Sequence, residues 1–270
     1  MVRKKFNLPL TKGLDSWSNF IELTERRNLL VHCDGIVSSQ YISVCRKHGI
    51  PLADIPQIGT KLESNNIYIT NSYRCLYELG TKLTHVLWRK LLPANLDDSD
   101  SSLIEISYNL IHEEDYDLAA RILDFSTCTL KKWKSDSNRR VFVINRAQTY
   151  YHSGIPEKCK DILNKEDWSS CSDEYQICVA VLLSDYYKAV QIMKRIGNTG
   201  PISEADYLDW PVFRDFRLSN EFSTTFEEIF NKKPVNISKI VSEPDIEEIF
   251  GEELKEFEEL KEEILGKVSD

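Results

Sequence analysis

The chain has 270 residues, 41% of them hydrophobic and 29% charged, with a formal net charge of −9. That supplies enough apolar side chain for one large folded domain or two modest ones. No apolar run approaches bilayer length and the start MVRKKFNLPLTKG has no apolar stretch behind its basic residues, so neither a membrane span nor a secretory leader is expected, and the location expected is cytoplasmic.

Seven cysteines without a C-x-x-C pair, set among apolar neighbours as in YQICVAVLL and YRCLYELG, are expected as buried thiols rather than disulfides or metal ligands. The charge is unevenly spread: residues 1–95 hold 13 Lys or Arg against 7 Asp or Glu, and the remainder 21 against 36. A basic first third beside an acidic remainder suits a polyanion partner, although an ordinary patchy surface gives the same count.

Few glycines and prolines and no strictly alternating stretch point to an all-α fold. In WSNFIELTERRNLLVHCDGIVSSQYISVC, apolar Trp17, Phe20, Ile21, Leu23, Leu29, Leu30 and Val31 suit a helix in a bundle, which sets the polar group Arg26, Arg27, Asn28 and His32 against a core. KHGIPLADIPQIGTKLESNN reads as a loop, and IYIT suits a short extended piece. NSYRCLYELGTKLTHVLWRKLLP reads as a long helix stopped by Pro93. His85 and His112 are expected as packing residues, His48 and His152 as exposed ones near turns.

ANLDDSDSS is acidic and serine-rich and reads as a linker, dividing the chain at 1–95, 96–231 and 232–270. After it come three stretches that each read as helix, tight turn, helix, with small residues Ala119, Cys159 and Ala189 three positions before Ile122, Ile162 and Ile192. Their spacing, irregular but averaging about 35 residues, resembles a degenerate tetratricopeptide-like array. The aromatic segment YLDWPVFRDFRLSNEFSTTFEEIF suits a cap on that stack. Beyond it a linker leads to DIEEIFGEELKEFEELKEEILGK, expected as an acidic amphipathic helix with Ile249, Phe250, Leu254, Phe257, Leu260 and Ile264 on one stripe. That helix suits packing on its own repeat domain, docking on a partner chain, or masking a basic groove.

Arg27 and His32 bracket four residues in RNLLVH, with a polar Asn28 directly after the arginine. In this, and in the surrounding ELTERRNLLVHCDGIVSSQYI, the sequence resembles the R-x(4–6)-H motif of HEPN-superfamily ribonucleases. The resemblance implies a HEPN-like helical segment over 1–95, catalytic roles for Arg27, Asn28 and His32, substrate binding by Arg26, and a homodimer that shares a composite site on RNA. It also implies no cofactor and no metal, and a place among prokaryotic toxins or antiviral-defence effectors. The chemistry suits these residue types: a near-neutral imidazole can move protons at the 2′- and 5′-oxygens, and a guanidinium fork can hold phosphoryl oxygens. Two other readings stay open. The arginines can pair with Glu22 or Glu25 and His32 can cap a helix, or the whole chain can be a non-catalytic adaptor that dimerises and scaffolds a protein partner through its repeats or its acidic helix.

Overall fold

The computed structural model describes residues 14–50 and 55–234. It is all-α, as the composition predicts; among the described residues strand pairing is limited to a bridge between Ile36 and Lys61. Two compact units emerge, Met1–Tyr175 and Gln176–Asp270. No helix among the described residues is long and apolar enough to cross a membrane.

The first unit opens with α1 (Trp17–His32), α2 (Ser39–Lys47) and α3 (Asn66–Leu91). α1 stops at His32 because Asp34 and Gly35 turn to positive φ, 49° and 77°. At Gly35 the demand is twofold: a Cβ would also lie 3.0 Å from the Leu62 carbonyl oxygen. This close approach lets Leu62 N–H donate to Gly35 C=O at 2.9 Å, which lays the 55–65 loop beside the α1–α2 turn. Leu29, Val37, Tyr41, Cys45 and Leu62 form a small core there.

Two expectations are corrected in this region. IYIT is not extended: Asn65 caps α3 by accepting from Tyr68 N–H at 2.8 Å, so the helix begins at Asn66 and takes IYIT into its first turns. Nor is ANLDDSDSS a linker. A 3₁₀ turn, Pro93–Asn95, runs straight into α4 (Leu96–His112), with Asp97 and Asp98 in the first turn, where the helix dipole favours acids. Ser99 and Asp100 are fully buried. Asp100 is ion-paired with Arg89 of α3 and accepts from Lys134 N–H at 2.6 Å and Asn138 Nδ2 at 3.2 Å. Composition reads as a linker what three partners convert into a buried polar anchor.

The three hairpins are present. They pair α4 with α5 (Tyr116–Asp124), α6 (Asp136–His152) with α7 (Pro156–Leu163), and α8 (Asp173–Leu182) with α9 (Tyr186–Ile196). Their turns are copies of one another. Glu114, Gly154 and Ser184 stand at φ of 62°, 75° and 59°, and in each turn the next residue's N–H returns to a carbonyl five residues back: Asp115 to Leu110, Ile155 to Tyr150, Asp185 to Ala180. Ala119 and Ala189 are fully buried, as is Cys159, so the aligned small residues are contact points of the second helices. In the first unit, α4, α5 and α6 enclose a core of Leu103, Leu110, Leu118, Ile122 and Phe142, against which Tyr77 and Val86 of α3 pack.

In the second unit, α10 (Glu204–Asp209), α11 (Arg214–Arg217) and α12 (Asn220–Phe230) follow the third hairpin, and α12 packs against α9. Tyr207, Phe213, Phe216, Phe222 and Phe226 are fully buried, with ring centroids 5.2 Å apart for both Tyr207–Phe213 and Phe216–Phe222. The aromatic segment thus builds its own core against the last hairpin. The predicted acidic helix lies outside the described residues.

Thiol and imidazole placements differ in part from expectation. Cys45, Cys75, Cys159 and Cys178 are buried, but Cys33 and Cys128 are exposed, because one follows the open end of α1 and the other lies in the π-helical turn Phe125–Thr129. His85 is buried, whereas His112 is exposed at the end of α4.

Candidate functional site

The motif occupies the last two turns of α1. At about 100° per residue, Arg27, Asn28, Val31 and His32 share an arc of about 140°, while Glu22, Arg26 and Leu29 lie on the other side of the helix. The inner side is occupied: Leu29 is 5% exposed in the small core. The outer arc is open, with Arg27 and His32 exposed and Val31 57% exposed. The expected placement of the whole cluster against a core is therefore corrected. Leu29 alone of the three motif-region apolar residues is buried, because α2 and the 55–65 loop cover one side of α1 only.

Within the arc, Arg27 Nη1 donates to Asn28 Oδ1 at 3.2 Å. Among the described residues neither Arg27 nor His32 has a carboxylate partner. Arg26 is differently placed. Its Nε donates to Glu22 Oε1 at 2.7 Å, and its guanidinium lies 3.9 Å over the Tyr68 ring. Glu22 also accepts from Tyr41 Oη at 2.6 Å and Tyr68 Oη at 3.0 Å. One carboxylate thereby ties α1 to α2 and α3. Burial and then the bond to Glu22 push the Tyr41 phenol far above its ordinary pKa, and burial with the Glu22 charge pushes Tyr68 to about 12. Both stay neutral donors over the working pH range.

The structure also forms a groove of about 440 Å³ on the inner side of α1, which Arg26, Arg74 and Arg121 line together with Tyr68 and Cys75. Arg74 pairs with Asp115 at 2.9 Å, and Arg121 with Glu78 at 3.3 Å and with Asp117. Each guanidinium in the groove thus has a carboxylate of its own. Comparison with protein-family models, with curated proteins and with solved structures finds no match for this chain.

Of the four motif residues, the structure gathers Arg27, Asn28 and His32 on one open arc and sets Arg26 apart in the groove. Tyr41 and Tyr68 are the neighbours of Glu22 and Arg26 that motif reading missed. The i,i+4 spacing of Glu22 and Arg26 announced their pair, but nothing local announced the two phenols. Among the described residues no group of three or more His, Cys, Asp or Glu is placed to hold a metal ion.

Proposed function

We propose that the chain is a metal-independent endoribonuclease of the HEPN type, of the kind used as a prokaryotic toxin or antiviral-defence effector, with Arg27, Asn28 and His32 as its working side chains. The observation that carries the reading is that these three are held on a folded helix yet serve no evident purpose in the fold, while Arg26 and Glu22 beside them are consumed by it. An exposed arginine, a carboxamide and an imidazole together match what RNA scission requires. The 2′-oxygen loses its proton as it attacks phosphorus, the 5′-oxygen leaves and gains one, and the guanidinium stabilises the charge on the phosphoryl oxygens. The products are a 2′,3′-cyclic phosphate and a 5′-hydroxyl. Arg27 and His32 are about 140° apart on their helix, so one copy does not focus both tightly on a single phosphate. Two copies meeting across a two-fold axis do, and the exposed Leu30 and Val31 beside the motif offer apolar surface for that meeting.

The test is cleavage of single-stranded RNA by the full chain in EDTA, with the ends of the products identified. His32→Ala and Arg27→Ala should each lower the rate by about 100-fold or more without changing the helical circular dichroism. Mixing the two variants should restore part of the activity through hybrid sites. Wild-type rates in both variants would remove the nuclease reading. A second reading, a non-catalytic adaptor, is favoured by an apolar stripe on α3, where Ile69, Tyr73, Leu76 and Leu83 are 41–56% exposed. No cleavage by the wild-type chain would leave that reading standing.

A further inference from the structure

α3 carries two faces of opposite character. One is turned to the fold and holds nearly all of the helix's charge: Arg74 pairs with Asp115, Glu78 with Lys82 and Arg121, and Arg89 with Asp100. The other is apolar and open, with Ile69 54%, Tyr73 56%, Leu76 47%, Leu83 41% and Leu91 51% exposed. Positions 69, 73, 76, 80, 83 and 87 alternate steps of four and three, the pattern of a coiled-coil seam. At position 80 stands glycine, and a Cβ there would meet nothing within 4 Å.

The outer part of the stripe is balanced in sequence about that glycine, although the mirror of Leu83 is Tyr77, which packs on the inner core. Ile69 and Leu91 lie eleven residues to either side of Gly80, Tyr73 and Leu87 seven, and Leu76 and Thr84 four. A second α3 laid antiparallel across Gly80 therefore sets Ile69 against Leu91, and the large Tyr73 against the smaller Leu87. Two bare glycine backbones meet at the crossing, where a side chain would hold the helices apart.

From these observations we infer that α3 is a self-association surface, pairing antiparallel with the α3 of a second copy about a two-fold axis at Gly80. Charge selects this occupant. The stripe face bears Lys90 and no other charged residue of α3, so a strongly acidic or basic partner finds no complement, while an identical face finds little repulsion. It also selects the direction: parallel helices would bring Lys90 against its own copy at a seam position, whereas antiparallel ones set it against Thr70.

From Ile69 to Leu91 the strip is about 33 Å long and about 10 Å wide. That is smaller than the ~800 Å² per partner of a tight interface, so the pairing is weak and reversible. The inference does not depend on the nuclease reading, because the stripe is on α3 and the motif arc on α1.

Sedimentation of the full chain between 1 and 100 µM reads the association directly. In the Val31→Glu background, which removes the apolar contact proposed beside the motif, the expected result is a monomer–dimer equilibrium that Leu76→Glu weakens at least tenfold, with circular dichroism confirming the fold. Ile69→Glu and Leu91→Lys should each weaken the dimer, and the double variant should recover most of it, since the antiparallel register brings the new charges together across the axis. A chain still monomeric at 100 µM would overturn the inference and mean that the stripe is covered within its own molecule. An association that survives Leu76→Glu in the Val31→Glu background would also overturn it, and failure of the double variant to recover would overturn the antiparallel register.

Discussion

His85 is 2% exposed, and its Nδ1 shares a 3.0 Å hydrogen bond with Ser99 Oγ. Burial, followed by the positive charge of Arg89, lowers its pKa from the ordinary 6.5 to about 4. In the unfolded chain His85 takes a proton as the pH falls through 6.5, while in the folded chain it does not until about 4. Stability is therefore lost progressively between those values and levels off below the lower one, by up to about 3 kcal/mol in all. Urea midpoints at pH 7.5 and pH 5 should show this fall in the wild type and a smaller one in His85→Gln, whose amide does not titrate; equal slopes would mean that another group carries the effect. Sequence marked His85 as a packing residue from its apolar helix, but its partner lies 14 residues away across a helix start that composition disguised as a linker.

Turns decide the elements as much as helices do. The three hairpins use one turn geometry with three different residues at the left-handed position, Glu114, Gly154 and Ser184, because the backbone bonds fix the conformation and the side chain merely tolerates it. Left-handed backbone costs an L-residue about 1 kcal/mol relative to glycine. Ser184→Gly should therefore raise stability and Gly154→Ala lower it, each by about 1 kcal/mol, measured as shifts in thermal or denaturant midpoints. Opposite signs would mean that unfolded-state entropy outweighs turn strain at these sites. The hairpin pattern was legible because small residues and turn formers sit at repeating offsets. α3 was less legible: its long apolar periodicity gave the helix, but the start needed Asn65 as a cap, and the exposed half of its apolar residues looks no different in sequence from the buried half.

At the scale of the whole molecule, charge is the dominant organised feature. Residues 235–270 hold 12 Asp or Glu against 4 Lys, almost the entire net charge of −9. A chain ending at Pro234 is close to neutral, and on the proposed nuclease reading its basic first third then meets RNA with less opposition. Single-stranded RNA should bind this shortened chain several-fold more tightly than the full one at about 0.01 M salt, where the Debye length is ~30 Å, and by less than twofold at about 0.3 M. Affinity measured on both chains at both salts checks it, and a gain that ignores salt would assign the acidic segment a packing role instead.

The sequence by itself determined that the chain is helical, that hairpins recur from residue 96 onward, and that an arginine, an asparagine and a histidine stand together near the end of α1. Those features follow from local rules, the 3.6-residue period, caps and turn chemistry, which act over a few residues. Only the tertiary structure decided that Arg26 and not Arg27 takes Glu22, that Leu30 and Val31 face outward, and that the acidic stretch after Pro93 is a buried anchor. The physical reason is distance along the chain. Glu22 meets Tyr41 and Tyr68, 19 and 46 residues away, and whether a residue is buried depends on which distant surfaces arrive to cover it.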